Sequence, residues 1–273
     1  MYVIQRENVW TPEAALRVYG SHWKMKVGIV IPQYDRYDLT HARLLELYHT
    51  VPMNSDSVIV VMDDASPDLK DGDIKGMKWW QENARLDLPV DCRKNTENLG
   101  FGGTCNAGAT TAINTHDADI VVFLSNDVLI RGDFITPIRK IIEEKPRVLI
   151  GGQIIDWKAG WNEVIFEGHE MIVPYAAGWL LACTKEVWKE LGGFDPRYGR
   201  FDYEDMDLST TAHSLGIDLV GLNLPYLQHI SGATIATLPV NRMAITLENK
   251  QKYLEKWEGR WQEIVEGLEK EHA

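Results

Sequence analysis

The sequence predicts an α/β domain in which a mostly parallel central sheet is flanked by helices, and three observations carry that expectation. Runs of consecutive apolar residues recur, such as Val58 to Met62 and Ile120 to Leu124, as in strands buried on both faces. Stretches with helical apolar spacing alternate with them. Two of the runs end in polar or acidic turns, Asp63-Asp64-Ala65-Ser66 and Ser125-Asn126-Asp127, and open α/β sheets bind ligands in the crevice outside the carboxyl ends of their strands.

Taken in order, Thr11-Pro12-Glu13 has the form of a cap, a first-turn proline and an acidic first turn, so a short helix is expected to about Tyr19. Lys26 to Ile31 reads as the first strand, ended by Pro32, and Leu39 to Tyr48 as a helix packed back on the sheet. Val58 to Met62 is the second strand and Pro89 to Arg93 a weaker third. A glycine-rich stretch, Asn95 to Gly108, then leads into an alanine-rich helix, its small residues letting backbone approach a ligand or neighbour closely. Ile120 to Leu124 follows, then a helix from Asp133 to Glu144 and a strand from Val148 to Ile155. Lys158 to Glu170, with Trp157, Trp161 and His169, has no clean period and reads as a functional loop. Further on come a strand from Trp179 to Cys183, a helix from Thr184 to Leu191 and the turn Gly192-Gly193-Phe194-Asp195. A helix then opens on Asp202, Glu204, Asp205 and Asp207, acids that suit a helix amino terminus. Strands at Leu219 to Leu224 and Tyr226 to His229 precede a closing helix from Leu247 to Leu268, striped by Leu254, Trp257, Trp261, Ile264, Val265 and Leu268.

A chain of 273 residues with 45% hydrophobic content can bury a large core. Its net charge of -12, from 28 basic and 40 acidic residues, opposes broad nucleic-acid backbone binding, since that needs a positive surface. The apolar run Pro174 to Cys183 is well short of the roughly 20 residues that span a bilayer, so no transmembrane segment is expected. Met1 to Arg6 lacks the start of a signal peptide, which points to a cytoplasmic protein. The three widely spaced cysteines form neither a disulfide framework nor a metal knuckle. Cys105 stands where a dinucleotide fingerprint needs glycine, and no Gly-Lys-Ser/Thr of a P-loop is present.

Asp63-Asp64, Asp127, Glu204-Asp205 and His229 all fall at strand ends or a helix start, so one sheet can converge them on a single cleft. A carboxylate with a histidine suits a hard divalent cation such as Mg²⁺ or Mn²⁺ with positions open for phosphate oxygens. Asp205, outside the metal turn, is free to act as a general base. Each residue also has a plainer role: Asp127 as a helix cap or turn former, His229 as a bonded strand-end histidine, and Glu204-Asp205 as helix-start charges.

In this order and spacing the residues resemble the family 2 glycosyltransferases of the GT-A fold, particularly the rhamnosyltransferase-like branch, over about residues 26 to 232. The resemblance rests on Ile29-Val30-Ile31-Pro32-Gln33-Tyr34-Asp35, Asp63-Asp64-Ala65-Ser66, and Asn98-Leu99-Gly100-Phe101-Gly102-Gly103 with Asn106 and Gly108. It continues through Leu124-Ser125-Asn126-Asp127, Gly192-Gly193-Phe194-Asp195, Tyr203-Glu204-Asp205-Met206-Asp207-Leu208, and His229 followed by Gly232. It implies transfer of a sugar, with inversion, from a UDP- or dTDP-sugar to the hydroxyl of a glycan, glycolipid or other acceptor, assisted by Mn²⁺ or Mg²⁺. Asp63 and Asp64 would hold the nucleotide base and ribose, Asp127 and His229 the metal, and Asp205 would be the base with Glu204 beside it. Pro32, Tyr34, Asp35, Arg93, Asn98, Gly100, Gly103, Asn106, Ser125 and Asn126 would complete the donor site. Ser125 departs from the family by standing at the first position of the DXD turn, and Asp35 by replacing an asparagine.

On this reading residues 1–24 form an N-terminal extension and 25–239 the glycosyltransferase domain, its donor half about 25–130 and its acceptor half about 131–239, while 240–273 form the closing helix. Two other readings use the same residues. One is a metal-dependent hydrolase of nucleotide sugars or phosphodiesters, activating water instead of an acceptor. The other is a non-catalytic carbohydrate-binding protein on this scaffold, stacking sugars on Trp157, Trp161 and Trp179.

Overall fold

The computed structural model describes residues 25–52, 56–67, 71–155, 164–166, 169–171, 173–230, 232, 240–260 and 263–264. The helix expected from Thr11 to Tyr19 lies outside them, as do Trp157, Trp161, Trp261, Val265 and Leu268. In chain order the elements are β1 (Val27–Gln33), α1 (Tyr37–Thr50), β2 (Ser57–Asp63), α2 (Asp71–Asn83), β3 (Val90–Lys94), α3 (Gly100–His116), β4 (Ile120–Leu124), β5 (Val128–Ile130) and α4 (Ile135–Glu144). They continue as β6 (Val148–Gly151), β7 (Ile154–Ile155), β8 (Val164–Phe166), β9 (His169–Met171), β10 (Tyr175–Ala176), β11 (Leu180–Thr184), α5 (Lys185–Leu191), α6 (Glu204–Leu215), β12 (Asp218–Gly221), β13 (Leu227–His229) and α7 (Arg242–Trp257).

Seven strands form the central sheet in the order β12-β6-β11-β4-β1-β2-β3. Its pairs are parallel except at β11, which runs antiparallel to both β4 and β6. Alternate residues of the apolar strands feed two cores. Ile29, Ile31, Ile59, Val61, Val122 and Leu124 meet α1 and α4 through Leu44, Leu47, Ile135 and Ile138. Val30, Val60, Val121 and Phe123 face α3, α5 and α6 through Cys105, Ala109, Trp188 and Leu208. Double-sided burial explains why these strands read as unbroken apolar runs.

The structure revises several boundaries. β1 continues through Pro32, because its ladder with β4 ends at Val30 while that with β2 runs on to Gln33, so no bond to β4 is lost at the proline. The strand expected from Val148 to Ile155 is two, because the chain turns at Gly152 and Gln153 and β7 pairs with β10 instead of joining the main sheet. A Cβ on Gly152 would lie 2.2 Å from the Trp179 ring, so glycine is what lets the turn close there. The glycine-rich stretch is already helix from Gly100. Its Gly108 packs so closely on β1 that a Cβ would sit 2.3 Å from Val30 Cγ1. Part of the aperiodic segment after residue 157 forms the β8–β9 hairpin. α2 leaves no clear apolar period in the sequence, and its Trp80 is buried and donates to His41.

The closing helix is displaced from its expected limits. α7 starts at Arg242, where Asn241 caps the Ala244 amide, and stops at Trp257 ahead of Gly259, whose φ is +75°. Tyr253 and Trp257 are fully buried in a third core with Val173, Tyr198, Met206 and Ile264, which seats α7 against α6.

Candidate active site

Asp127 stands where β4 gives way to β5, and a small two-stranded ladder brings His229 to it. β5 pairs antiparallel with β13, His229 lies opposite Val128, and the Ile230 amide donates to the Asp127 carbonyl at 2.9 Å. His229 Nε2 is consequently 3.3 Å from Asp127 Oδ1, and Ser125 Oγ donates to the same oxygen at 2.6 Å. One face of α1 holds this turn from behind. Asn126 Nδ2 donates to Thr40 Oγ1 at 3.1 Å, Arg43 Nη1 to the Val128 carbonyl at 2.6 Å, and the Ile130 amide to Glu46 Oε2 at 2.7 Å. Thr40, Arg43 and Glu46 recur at helical spacing, so one stripe of α1 fixes three successive parts of the turn.

Among the described residues no three His, Cys, Asp or Glu side chains cluster as a metal cage. Asp127 and His229 alone nevertheless suit Mg²⁺ or Mn²⁺, since such ions are commonly held by one or two protein ligands with water and substrate phosphates completing the sphere. Ser125, in place of a carboxylate, contributes a hydroxyl that orients Asp127.

The carboxyl end of β2 places its two aspartates differently. Asp63 is fully buried, its oxygens accepting from Gln33 Nε2 at 3.0 Å, from the Ser66 amide at 3.1 Å and from Ser66 Oγ at 2.5 Å. It lies beneath the cleft and does not line it. Asp64 lines the cleft while accepting from the Leu99 and Gly100 amides at 2.7 and 2.9 Å and from Asn95 Nδ2 at 3.1 Å. These amides open α3, where a carboxylate satisfies unpaired N–H groups. Gly100, at φ +72°, also leaves room for the Gly199 carbonyl, which would lie 1.9 Å from a Cβ there.

On the other side stands the acidic pair. Asp205 Oδ2 accepts from the Gly178 amide at 2.9 Å and its Oδ1 from the Met206 amide at 2.8 Å. Glu204 is 8% exposed, and its Oε2 has no hydrogen-bond partner among the described residues. Burial, and then the charge of Asp205, push the Glu204 carboxyl well above the usual carboxylate range. Burial also raises Asp205, but the Gly178 and Met206 amides oppose it by stabilising the carboxylate. The two surroundings therefore differ: no donor reaches Glu204 Oε2 among the described residues, whereas both Asp205 oxygens accept from amides that favour its charged form. Ahead of them Asp202 and Tyr203 have φ of +69° and +77°, consecutive left-handed residues that cost on the order of 1–3 kcal/mol each and persist only under external constraint.

A two-residue turn joins the halves. Gly178 donates to Asp205, the Ser125 amide donates to the Trp179 carbonyl at 2.9 Å, and the Trp179 ring stacks on His229 with centroids 5.6 Å apart and planes 16° from parallel. The resulting cleft is about 1260 Å³. Of the residues expected from the sequence, Pro32, Tyr34, Asp64, Asn98, Gly100, Ser125, Asn126, Asp127, Glu204, Asp205 and His229 line it.

The others serve elsewhere. Asp35 is exposed, and its amide donates to Ser66 Oγ. Arg93 pairs with Asp91 and reaches Thr115 near the end of α3. Gly103 packs under Leu99, and Asn106 bonds the amide and carbonyl of Phe194. The sequence reading missed Gln153, Tyr175, Gly178, Arg200, Arg242 and Thr246, all of which line the cleft. Only Gly178 carried a signal, as a glycine inside an apolar run.

Burial raises the half-buried Cys92 to about 12 and lifts the buried Cys105 and Cys183 as well, which disfavours the thiolate form of each.

Comparison with solved structures finds similar chains that carry the GT-A fold. A mannosyltransferase, PcManGT from Pyrobaculum calidifontis in complex with GDP-Man and Mn²⁺, is 22% identical at a TM-score of 0.53, covering 73% of this chain and 55% of that one. GalNAc-T7 with UDP, GalNAc and Mn²⁺ is 17% identical at a TM-score of 0.61, covering 85% and 48%. S. aureus TarS 1-349 in complex with UDP is 16% identical at a TM-score of 0.54, covering 85% and 72%. This chain thus spans about half the length of the first two. No curated protein matches. The sequence profile described as Glycosyl transferase family 2 matches residues 28–192, from β1 to the end of α5, and this chain belongs to that family.

Proposed function

We propose that this protein transfers a sugar from a nucleoside-diphosphate donor, a UDP- or dTDP-sugar, to the hydroxyl of a glycan, glycolipid or other acceptor with inversion. The observation that carries the reading is the Gly178-Trp179 turn, which ties the Asp127–His229 pair to the Glu204–Asp205 pair across one cleft. Asp205 takes the proton of the acceptor hydroxyl as its oxygen bonds to the anomeric carbon, and the bond from that carbon to the diphosphate oxygen breaks on the opposite face. Its backbone donors fix its direction, while burial biases Glu204 beside it toward the protonated form and so lessens the like charge. Asp127 and His229 would hold Mn²⁺ or Mg²⁺, whose charge, when bound, neutralises the departing diphosphate. Support comes from the similar structures that carry nucleotides or a nucleotide sugar, two of them with Mn²⁺.

No helix of the described residues is long and apolar enough to cross a membrane. Three free cysteines support the further reading that the protein works in the reducing cytoplasm. The decisive experiment incubates the chain with Mn²⁺ and a panel of UDP- and dTDP-sugars, with and without arrayed glycan and glycolipid acceptors, and reads product anomers by NMR. Transfer with inverted configuration is expected. Sugar release to water alone, at a rate no acceptor changes, would replace this reading with a nucleotide-sugar hydrolase.

A further inference from the structure

The strained turn ahead of the acidic pair is held from outside the matched family region. Tyr203 caps α6 without a side-chain hydrogen bond, and the bond α6 makes to the turn, from the Tyr198 hydroxyl to Asp207 Oδ1 at 3.0 Å, lies ahead of the two successive left-handed residues and not at them. The constraint comes from α7. Asn249 is 1% exposed, and its Nδ2 lies 2.8 Å from the Tyr198 carbonyl, 2.8 Å from that of Phe201 and 3.0 Å from that of Asp202. Lys252 Nζ donates to Asn249 Oδ1 at 3.1 Å, which fixes the amide with its nitrogen toward the carbonyls. The Asp202 side chain is gripped by the same helix, accepting from Thr246 Oγ1 at 2.7 Å and from Arg242 Nη2 at 2.8 Å. The groups α7 holds in this way belong to Tyr198, Phe201 and Asp202, just before Glu204 and Asp205.

We infer that Asn249 is a positioning residue for the Glu204–Asp205 pair, its amide clamping the carbonyls of the 198–202 turn so that Asp205 is presented to the cleft at a fixed angle. The inference rests on reading that pair as the catalytic one. Its physical basis is the shortage of alternatives: an amide supplies two hydrogens to three buried carbonyls from one point, an arrangement neither a hydroxyl nor a methyl reproduces. Released from the clamp, the turn relaxes toward right-handed backbone and swings the first turn of α6. Small displacements of a base suffice to slow proton transfer while leaving the Asp127–His229 pair, which the turn does not touch, in place.

The test compares wild type, Asn249→Ala and Asn249→Ser as full chains, the serine variant retaining one donor and more of the native shape. Amide hydrogen exchange at residues 203–207 is expected to rise about tenfold in the alanine variant while β1 and β4 keep their protection, with serine intermediate. Calorimetry with UDP and Mn²⁺ should show a smaller loss than kcat does, since Asp127 and His229 lie beyond the altered turn while its Gly199 and Arg200 pack on Gly100 and Phe101 at the start of α3. With whichever UDP- or dTDP-sugar turns over, kcat should fall roughly 10- to 100-fold with a much smaller change in donor KM, serine recovering part of the loss. Exchange at 203–207 that stays at the wild-type rate, or that rises only together with the whole chain, would overturn the assignment. So would a loss confined to donor KM. Should the alanine variant fail to fold, the serine variant decides by the same readouts. If wild type binds UDP but transfers no sugar, the functional reading fails separately, and the local exchange comparison still decides whether Asn249 holds the turn.

Discussion

Replacing Asp205 with asparagine isolates basicity from shape. Both carboxylate oxygens accept from backbone, Oδ2 from Gly178 and Oδ1 from Met206. Asparagine offers one acceptor, so its NH₂ must face one of these amides, and leaving such a donor unpaired costs about 1–3 kcal/mol. Against this, the substitution removes a carboxylate whose pKa is raised by burial, which returns part of that cost at neutral pH. The net change is expected within about 2 kcal/mol, a fall in Tm of a few degrees. Catalysis should suffer far more. Losing a general base slows turnover roughly 10²- to 10⁴-fold, equivalent to about 3–5 kcal/mol of barrier. The assay couples UDP release to acceptor-dependent transfer, with scanning fluorimetry and UDP–Mn²⁺ calorimetry on the same preparation. Transfer near the wild-type rate, or a product that keeps the donor's anomeric configuration, would refute Asp205 as the base of an inverting reaction.

Other substitutions follow from the same geometry. Glu204→Gln should be the milder kinetic lesion and should stabilise the fold at about pH 8. The native pKa is raised, so the wild-type carboxyl favours folding fully below its ordinary value near 4.3 and loses that contribution as pH rises through the folded value. Melting curves for the two proteins should therefore converge toward about pH 4, and an unchanging gap across that range would argue against a buried, proton-holding Glu204. Asp127→Ala should weaken UDP binding in Mn²⁺ and leave it unchanged in EDTA, and equal losses in both conditions would remove the metal from this position. Gly108→Ala forces a methyl against Val30 in the central strand and should cost about 1–3 kcal/mol of stability, read as a lower urea midpoint with UDP affinity unchanged in the folded fraction.

The sequence determined by itself what depends on local pattern. Strands buried on both faces must be apolar throughout, so β2 and β4 were legible within a residue or two, and the polar turns closing them marked where a ligand site would lie. Asp127, His229, Glu204 and Asp205 were likewise visible as acids and a histidine at element ends. Side-chain direction and long-range pairing were not visible, because neither leaves a local trace. Asp63 and Asp64 are neighbours of one type, yet β2 aims the first under the cleft and the second at the start of α3. Only the β5–β13 ladder puts His229 beside Asp127, and β5 is three residues long with no period to read. Arg93 and Asn106 fell in the right stretches, but their side chains are committed to Asp91 and Phe194. The tertiary structure alone assigned α7 its place against the acidic turn, since the stripe that announces a buried helix face does not say which strained backbone it will hold.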